Sequence, residues 1–164
     1  MRTIVRHSGI AIALAVAGSG AYAEMQNDSG RAIFSGPLEA IHEELPGGRT
    51  YSRHVQVGSA ETDNESSPFF NASIRCAATA VHSAGGDMIY EYAICEATRA
   101  DGDQVFWMIY MEPPIPSTGF KFIGGTGAFH GMQGSVTSSE QIKTWPDGTA
   151  EFAWEITWEI NQTD

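Results

Sequence analysis

A glycine-rich segment, residues 122–134, constrains the fold of this chain more than any other feature. It holds five of the chain's 18 glycines. Glycine at this density indicates backbone with positive φ or in close approach to another segment. A phosphate-binding glycine loop would open a helix, whereas the β-prone residues 135–139 follow here. We therefore predict a tight structural corner between two β-strands, formed by Gly124, Gly125, Thr126, Gly127, Gly131 and Gly134.

The first 23 residues have the pattern of a secretory signal peptide. Two arginines precede an apolar run over residues 10–18, and an Ala-Tyr-Ala cleavage site follows at 21–23. The run is shorter than the roughly 20 residues that span a bilayer. We expect cleavage after residue 23, a single domain over residues 24–164, and export to the periplasm or secretion without membrane insertion.

The charge balance restricts the partners of the chain. It has 20 acidic and nine basic residues, a formal net charge of −11. Nucleic acids and anionic membrane surfaces are bound through basic patches, so neither is an expected partner. The histidines beyond the leader, His42, His54, His82 and His130, show no metal-ligand spacing, and no metal site is predicted.

A Gly-Gly turn joins two alternating segments, residues 72–81 and 88–98, in a predicted hairpin. Centred on Gly85-Gly86, the hairpin places Cys76 opposite Cys95, and it also pairs Arg75 with Glu96. Opposed strands bring Cα atoms within disulfide range, and cysteines of exported chains usually pair. A Cys76–Cys95 disulfide is therefore predicted.

Asp101-Gly102 predicts a second hairpin, because this dipeptide favours two-residue loops. Such a loop pairs residues 88–99 with 104–111 and sets Glu91 beside Glu112. Asp101 and Asp103 lack the further ligands of a calcium loop, so they are interpreted as turn residues.

The remaining segments complete an all-β prediction. Residues 24–31 are interpreted as a loose start, 33–44 as a strand interrupted at Pro37, and 59–68 as an acidic loop, solvated rather than a lid. Further strands are expected over residues 50–57, 120–123, 132–144 and 149–160, with a proline loop at 113–116. About eight short strands without helical periodicity indicate an all-β barrel or sandwich, and eight is close to the number at which a closed barrel encloses side chains or one small ligand.

The pattern Gly124-Gly125-Thr126-Gly127-x-Phe129-x-Gly131-x-x-Gly134, with Trp154-x-Ile156-x-Trp158, resembles allene oxide cyclases and dirigent proteins. The turn at 101–103 resembles small exported bacterial members of that superfamily, and the match covers about residues 88–160. The resemblance implies a calycin-like, eight-stranded antiparallel up-and-down barrel with an apolar cavity, often trimeric, and no cofactor. Allene oxide cyclases close a ring on an unstable epoxide, and dirigent proteins orient radical coupling. No polar site residue of either group has a matching motif position here.

The two predicted registers define two faces of the barrel wall. The alanine-rich face is assigned to the interior, with ligand-binding candidates Ala78, Ala93, Phe106 and Met108 and catalytic candidates Glu91, Glu112, Tyr110 and His82. Two neighbouring buried carboxylates raise one pKa and supply a general acid or base. The preferred alternative is that these catalytic candidates lie at the barrel rim in water, where a charged side chain stays hydrated at little cost in free energy.

The opposite face groups Tyr90, Tyr92, Ile94, Trp107, Ile109 and Met111. This composition is typical of an interface core and predicts a homo-oligomer, a trimer by the resemblance. If the faces are swapped, a monomer is expected. The stripe of Phe152, Trp154 and Trp158 is interpreted as core or subunit interface rather than a ligand-stacking surface.

Two functional hypotheses follow from the sequence. The first is an exported barrel that binds a small apolar molecule, with or without cofactor-free isomerisation or cyclisation. The second is a non-catalytic exported carrier or a structural and interaction barrel. A cavity of about 300 Å³ or more favours the first, whereas a barrel filled by Phe and Met favours the second.

Overall fold

A computed structural model describes residues 24–36, 38–111 and 119–161, so the predicted leader, Pro37 and the predicted proline loop lie outside the described residues. No helix in these ranges is long and apolar enough to cross a bilayer. The described residues form nine β-strands and a short 3-10 helix, Gly127–Phe129. The strands are β1 Gln26–Phe34, β2 Leu38–Leu45, β3 Arg49–Glu61, β4 Ala72–His82, β5 Met88–Thr98, β6 Gln104–Met111, β7 Gly119–Gly125, β8 Met132–Thr144 and β9 Ala150–Ile160.

The strands form one antiparallel sheet in the order β7-β6-β5-β4-β3-β1-β9-β8, with β2 also paired to β3. The first part of β3 pairs with β2 and its last part pairs with β1. The two strands β1 and β2 therefore occupy one strand position of the barrel wall, with an interruption between them. β7 and β8 lie side by side, which curls the sheet into a nearly closed barrel. The predicted eight-stranded antiparallel up-and-down barrel is confirmed.

The first third of the chain differs from the sequence prediction. Residues 26–34 are strand β1 rather than a loose start. The inward positions of β1 include Asp28, Gly30, Ala32 and Phe34. Only Phe34 is a large apolar residue, so the segment shows no apolar alternation. The predicted acidic loop begins later than expected, because β3 continues to Glu61, and its end is buried at Ser67 rather than solvated.

The first hairpin has the predicted register. Cys76 lies opposite Cys95 and Arg75 opposite Glu96, and the disulfide is confirmed with Cα atoms 4.0 Å apart. The turn itself is one residue longer than a two-residue loop, because Ser83 N–H donates to the Asp87 carbonyl at 2.8 Å. A bulge in the ladder between Val81 and His82 compensates for the extra residue.

The predicted register of the second hairpin is wrong by one residue. Arg99 N–H donates to the Asp103 carbonyl at 2.9 Å, leaving a three-residue loop that ends on Gly102 at φ 93°. This is the type I turn with a following left-handed residue. Glu91 therefore pairs with Met111.

This shift turns every side chain of β6 to the opposite face, because side chains alternate with a period of two. Val105, Trp107 and Ile109 pack in the barrel interior. Phe106, Met108 and Tyr110, which were predicted to point inward, lie on the outer wall. The predicted faces of β4 and β5 are unaffected, because their register is the expected one.

The two ends of the barrel differ in filling. We call the end that carries Phe69, the 99–103 turn and the glycine corner the plugged end. The Phe69 ring lies 5.3 Å from that of Trp107 and 5.0 Å from that of Trp154, and it also packs against Phe122. The opposite end, where the turns at residues 83–87 and 145–149 lie, is called the rim.

Candidate ligand cavity

The barrel encloses a cavity of about 500 Å³ that extends from Phe69 toward the rim. Its wall is formed by side chains of eight strands, all except β2, together with the Phe69 plug. Most are apolar, namely Ala32, Phe34, Phe69, Ile74, Cys76, Ala78, Met88, Ala93, Trp107, Ile109, Phe120, Val136, Phe152 and Trp154. The polar ones are Gln56, Glu91, Ser139 and Gln141. The cavity is thus a largely apolar chamber with a few hydrogen-bonding groups.

The floor of the cavity is held by the loop between β3 and β4. Ser67 is fully buried, and its hydroxyl accepts the Phe69 N–H at 3.1 Å. Arg99 Nη1 donates to the carbonyls of Glu65 and Ser67 at 2.9 and 2.8 Å. The sequence offered no signal for this plug, because Phe69 follows a polar, acidic stretch whose neighbours in space are remote in the chain.

The Arg99 side chain connects that loop to the rest of the plugged end. Its guanidinium carbon lies 5.6 Å from the centre of the Phe129 ring, inside the glycine corner. Its Nε also donates to Asp101 at 3.2 Å. One side chain therefore joins the floor loop, the β5–β6 turn and the corner.

The alanines of β4 and β5 give the cavity its width. The predicted ligand-binding residues Ala78 and Ala93 both line it. Phe106 and Met108, predicted for the same role, face outward because of the shifted register of β6. Trp107 and Ile109 occupy the wall in their place.

Among the described residues, Glu91 is the one carboxylate in the cavity lining. Burial raises the pKa of its carboxyl, and nearby His82 partly opposes that shift. Among the other predicted catalytic residues, Tyr110 lies on the outer wall and is 41% exposed. Glu112 lies outside the described residues. The predicted pairing of Glu91 with Glu112 is wrong, since Met111 occupies the opposed position.

Three histidines share the inner face of the wall near the rim. His42 lies opposite Ser52, His54 opposite Ala78 and His82 opposite Thr50, all at inward positions of their ladders. Burial lowers the pKa of His54, and the charges of His42 and His82 lower it further. The sequence did not predict that these histidines lie on one face, because they come from β2, β3 and β4 and the register among those strands was not predicted.

No group of three or more His, Cys, Asp or Glu residues in the described ranges is arranged to hold a metal ion.

The glycine corner lies away from the cavity, at the plugged end. Thr126 N–H donates to the Gln104 carbonyl at 2.8 Å, and Gln104 N–H donates to the Thr126 hydroxyl at 3.0 Å. Gly127 has φ 54°, and a Cβ there would overlap the Asp103 carboxylate, which accepts the Ala128 N–H at 2.9 Å. Gly124, Gly131 and Gly134 also have positive φ. The corner packs against other segments of the chain, and none of residues 122–134 lines the cavity.

Fold and cavity together define the class of protein: an antiparallel β-barrel with a ligand-sized, mainly apolar interior. No protein-family profile matches the chain. No curated protein matches it in sequence.

Among solved structures, the chain is similar to one described as the structure of the pterocarpan synthase dirigent protein GePTS1. The two share 11% sequence identity over 85% of this chain and 90% of that chain, with a TM-score of 0.48. At this identity and TM-score the likeness carries neither a family assignment nor a residue role across to this chain. Membership among small exported bacterial proteins stays a prediction.

Proposed function

We propose that this chain is an exported barrel that binds one small, largely apolar molecule in its interior. The observation that carries the proposal is the cavity of about 500 Å³. Ligand sites in proteins commonly have volumes of about 300–1,000 Å³, with apolar walls and a few orienting polar groups. The cavity described above has that size and composition.

The distribution of side-chain size supports this proposal. Protein interiors are normally close-packed, and unfilled space costs stability. Here the aromatic rings gather at the plugged end, while buried Ala78 and Ala93 leave space in the middle of the wall. A barrel selected only for stability would be expected to fill that space with larger side chains.

Export is the second part of the proposal. The disulfide is compatible with an oxidising compartment, because such bonds are rare in the cytosol. The predicted leader would direct the chain there. Expression of the full chain in a bacterial host, followed by fractionation and mass measurement, tests it. A periplasmic species that begins at Glu24 is expected, and cytoplasmic retention of the full-length chain would contradict it.

Native mass spectrometry of the exported protein tests ligand binding directly. We expect a small molecule to co-purify with it. Ala78→Leu should displace that molecule by filling the cavity, whereas Ala77→Leu should retain it. The two alanines are neighbours in β4, but Ala78 is 4% exposed and lines the cavity, while Ala77 is exposed. Equal loads of ligand in both variants would contradict an interior site.

Cofactor-free isomerisation or cyclisation is the second candidate function, and one observation favours it. Glu91 lines the cavity and has a raised pKa, so its carboxyl can hold a proton closer to neutral pH than an exposed glutamate. Such a group can take a proton from one atom of a bound substrate and return it to another. This transfer balances without any co-reactant.

Glu91→Gln separates this activity from binding once the co-purifying molecule is identified. Glutamine keeps the shape of the side chain but cannot exchange a proton. We expect retained binding and at least about a hundredfold slower isomerisation, the usual contribution of a general acid or base. Unchanged turnover would exclude this role and leave a non-catalytic carrier or interaction barrel as the function.

We also propose self-association through the outer wall of β5 to β7. The corrected register places Phe106, Met108 and Tyr110 beside Tyr92 and Ile94 on this wall. Ile94 is 49% exposed and Tyr110 41%, and the patch is rich in aromatic residues and Met, as interface cores are. Burial of each large apolar side chain favours association by roughly 1.5–3 kcal/mol.

Sedimentation at micromolar concentration tests this assembly. We expect an oligomer, with a trimer as the first hypothesis, that Ile94→Lys dissociates. Ile33→Lys is the control, because Ile33 is 42% exposed but lies on β1, which β3 and β4 separate from β5. A monomeric parent protein would contradict self-association.

A further inference from the structure

The rim of the cavity combines titratable groups that the proposed binding function does not require. His42, His54 and His82 project from β2, β3 and β4 on the inner face. They lie close enough that His42 and His82 both influence the titration of His54. Glu91, on the next strand, interacts in the same way with His82. The four side chains therefore form one electrostatic group at the rim, beside the cavity that Glu91 lines.

Few other charges face this group. Glu44 lies on the inward side of β2, opposite Thr50, and Asp87 lies in the turn between β4 and β5. On the other strands, the described inward residues near the rim are neutral, namely Phe34, Ile109, Met111, Phe120, Ser139, Gln141 and Phe152. Lys143 pairs with Glu151 on the outward side of β8, where its ammonium lies over Trp145.

The charge of the rim consequently becomes less negative as the pH falls. Above the range in which histidines titrate, Glu44, Asp87 and Glu91 make the rim negative. As the pH falls, three imidazoles gain a positive charge. Glu91 loses its charge earlier than an exposed glutamate would, because burial raises its pKa. An anion is therefore repelled from the rim less strongly at acidic pH than at alkaline pH.

We propose that the rim is a proton-controlled subsite for the anionic end of an amphiphilic ligand whose apolar body fills the cavity. This inference rests on the proposed binding function and adds the chemical class of the ligand, a monoanion with a compact apolar body. By linkage, binding of the anion takes up protons at the histidines. The burial that lowers the pKa of His54 is offset when an anion lies beside it.

Binding of 2-naphthoate and of 2-naphthamide, measured by quenching of the cavity tryptophans between pH 8.0 and 5.5, tests the subsite. The two probes share one aromatic body, but only the naphthoate is charged. Because several exposed charges change, each affecting the binding constant a few-fold, we expect naphthoate to bind about tenfold more tightly at the acidic end. Naphthamide affinity should change less than about twofold over the same range.

A triple variant, His42→Gln with His54→Gln and His82→Gln, should abolish most of the pH dependence for naphthoate and leave naphthamide binding unchanged. His130→Gln is the matched control, because His130 is exposed at the plugged end. It should behave like the parent protein. Circular dichroism at each pH verifies that both variants stay folded.

The outcomes separate the two proposals. Binding of both probes with no dependence on pH would overturn the proton-controlled subsite and leave the proposed binding function standing. Retention of the naphthoate pH dependence in the triple variant, or its loss in His130→Gln, would also overturn the subsite. Binding of neither probe at any pH would overturn both proposals.

Discussion

The plugged end of this barrel is closely packed, whereas the rim has a cavity and titratable side chains, although the same strands form both ends. At the plugged end, Phe69 is 5% exposed among three aromatic rings, and Arg99 fastens the loop that carries it. At the rim, three histidines and Glu91 lie on the inner face beside neutral side chains that surround an apolar chamber. Packing and hydrogen bonds concentrated at one end allow the other to keep space and titratable groups that contribute little to stability.

The glycine corner explains why this end of the barrel is filled and the cavity lies toward the other end. Its backbone pairs with the start of β6 through Thr126 and Gln104, and it packs Phe129 against Trp158 with ring centres 6.0 Å apart. Close backbone contacts of this kind leave no room for a ligand. The corner thus fixes the plugged end, and a cavity can form only toward the rim.

Removal of the plug should have the largest effect on stability. Phe69→Ala is expected to cost about 3–5 kcal/mol, the usual range for a buried phenylalanine. Phe34→Ala near the rim removes a half-buried ring that contacts only Phe152 among the aromatic rings of the described chain, and should cost about 1–2 kcal/mol. Urea denaturation of both variants measures the difference. Equal losses would show that the two ends are packed alike.

A comparison of two glycines tests the corner itself. Gly127 and Gly86 both have positive φ, but only at Gly127 would a Cβ meet another group, the Asp103 carboxylate. Gly86→Ala should cost about 1–2 kcal/mol, the penalty of a left-handed L-residue. Gly127→Ala should cost roughly 2–5 kcal/mol, because a steric clash adds to that strain. Thermal melting that ranks the two in the opposite order would contradict the structural role of the corner.

Arg99 and Arg31 allow a comparison of a mostly buried charged side chain at the plugged end with an exposed one on the outer wall. Arg99 has 16% of its side chain exposed and donates to two carbonyls of the floor loop, so Arg99→Ala should cost about 1.5–3 kcal/mol. Arg31→Ala breaks an ion pair with Glu151 on the outer wall, where the arginine side chain is 70% exposed. That loss should be below about 1 kcal/mol. Chemical denaturation with proteolysis of the floor loop as a second probe would reveal any reversal.

The smallest expected effect belongs to Glu91. Because its pKa is raised in the folded state, the protein gains stability from it below the pKa of the unfolded chain and loses that gain as pH rises through the folded pKa. Glu91→Gln should therefore stabilise the protein at neutral pH, by less than about 1 kcal/mol after solvent screening, and should have little effect near pH 4. Melting curves at both pH values measure this. Destabilisation at neutral pH would show that the ionised carboxylate is favourably paired.

The sequence predicted the fold because the relevant signals are local. The alternation of the last strand placed Trp154, Ile156 and Trp158 on one face, and all three are buried. The glycines of the corner and the turn dipeptides located the strand ends. The cysteines set the register of β4 against β5, since a covalent bond adds a constraint that alternation alone does not provide.

The candidate site was predicted only in part, and the reason is the same for each error. Ala78, Ala93 and Glu91 were placed correctly in the cavity wall, because they lie on the hairpin whose register the cysteines fix. Phe106, Met108 and Tyr110 were placed on the wrong face, because Asp101-Gly102 is compatible with both a two-residue and a three-residue loop. One residue of difference reverses an entire strand.

The sequence by itself determined the strand pattern, the turns, the glycine corner and the disulfide, since each depends on neighbouring residues or on one covalent link. Only the tertiary structure decided which face of β6 points inward, that Phe69 closes one end, and that His42, His54 and His82 meet at the other. These features depend on how strands from distant parts of the chain align. That alignment is fixed by the hydrogen-bond ladder of the closed barrel, where every strand's register depends on both of its neighbours.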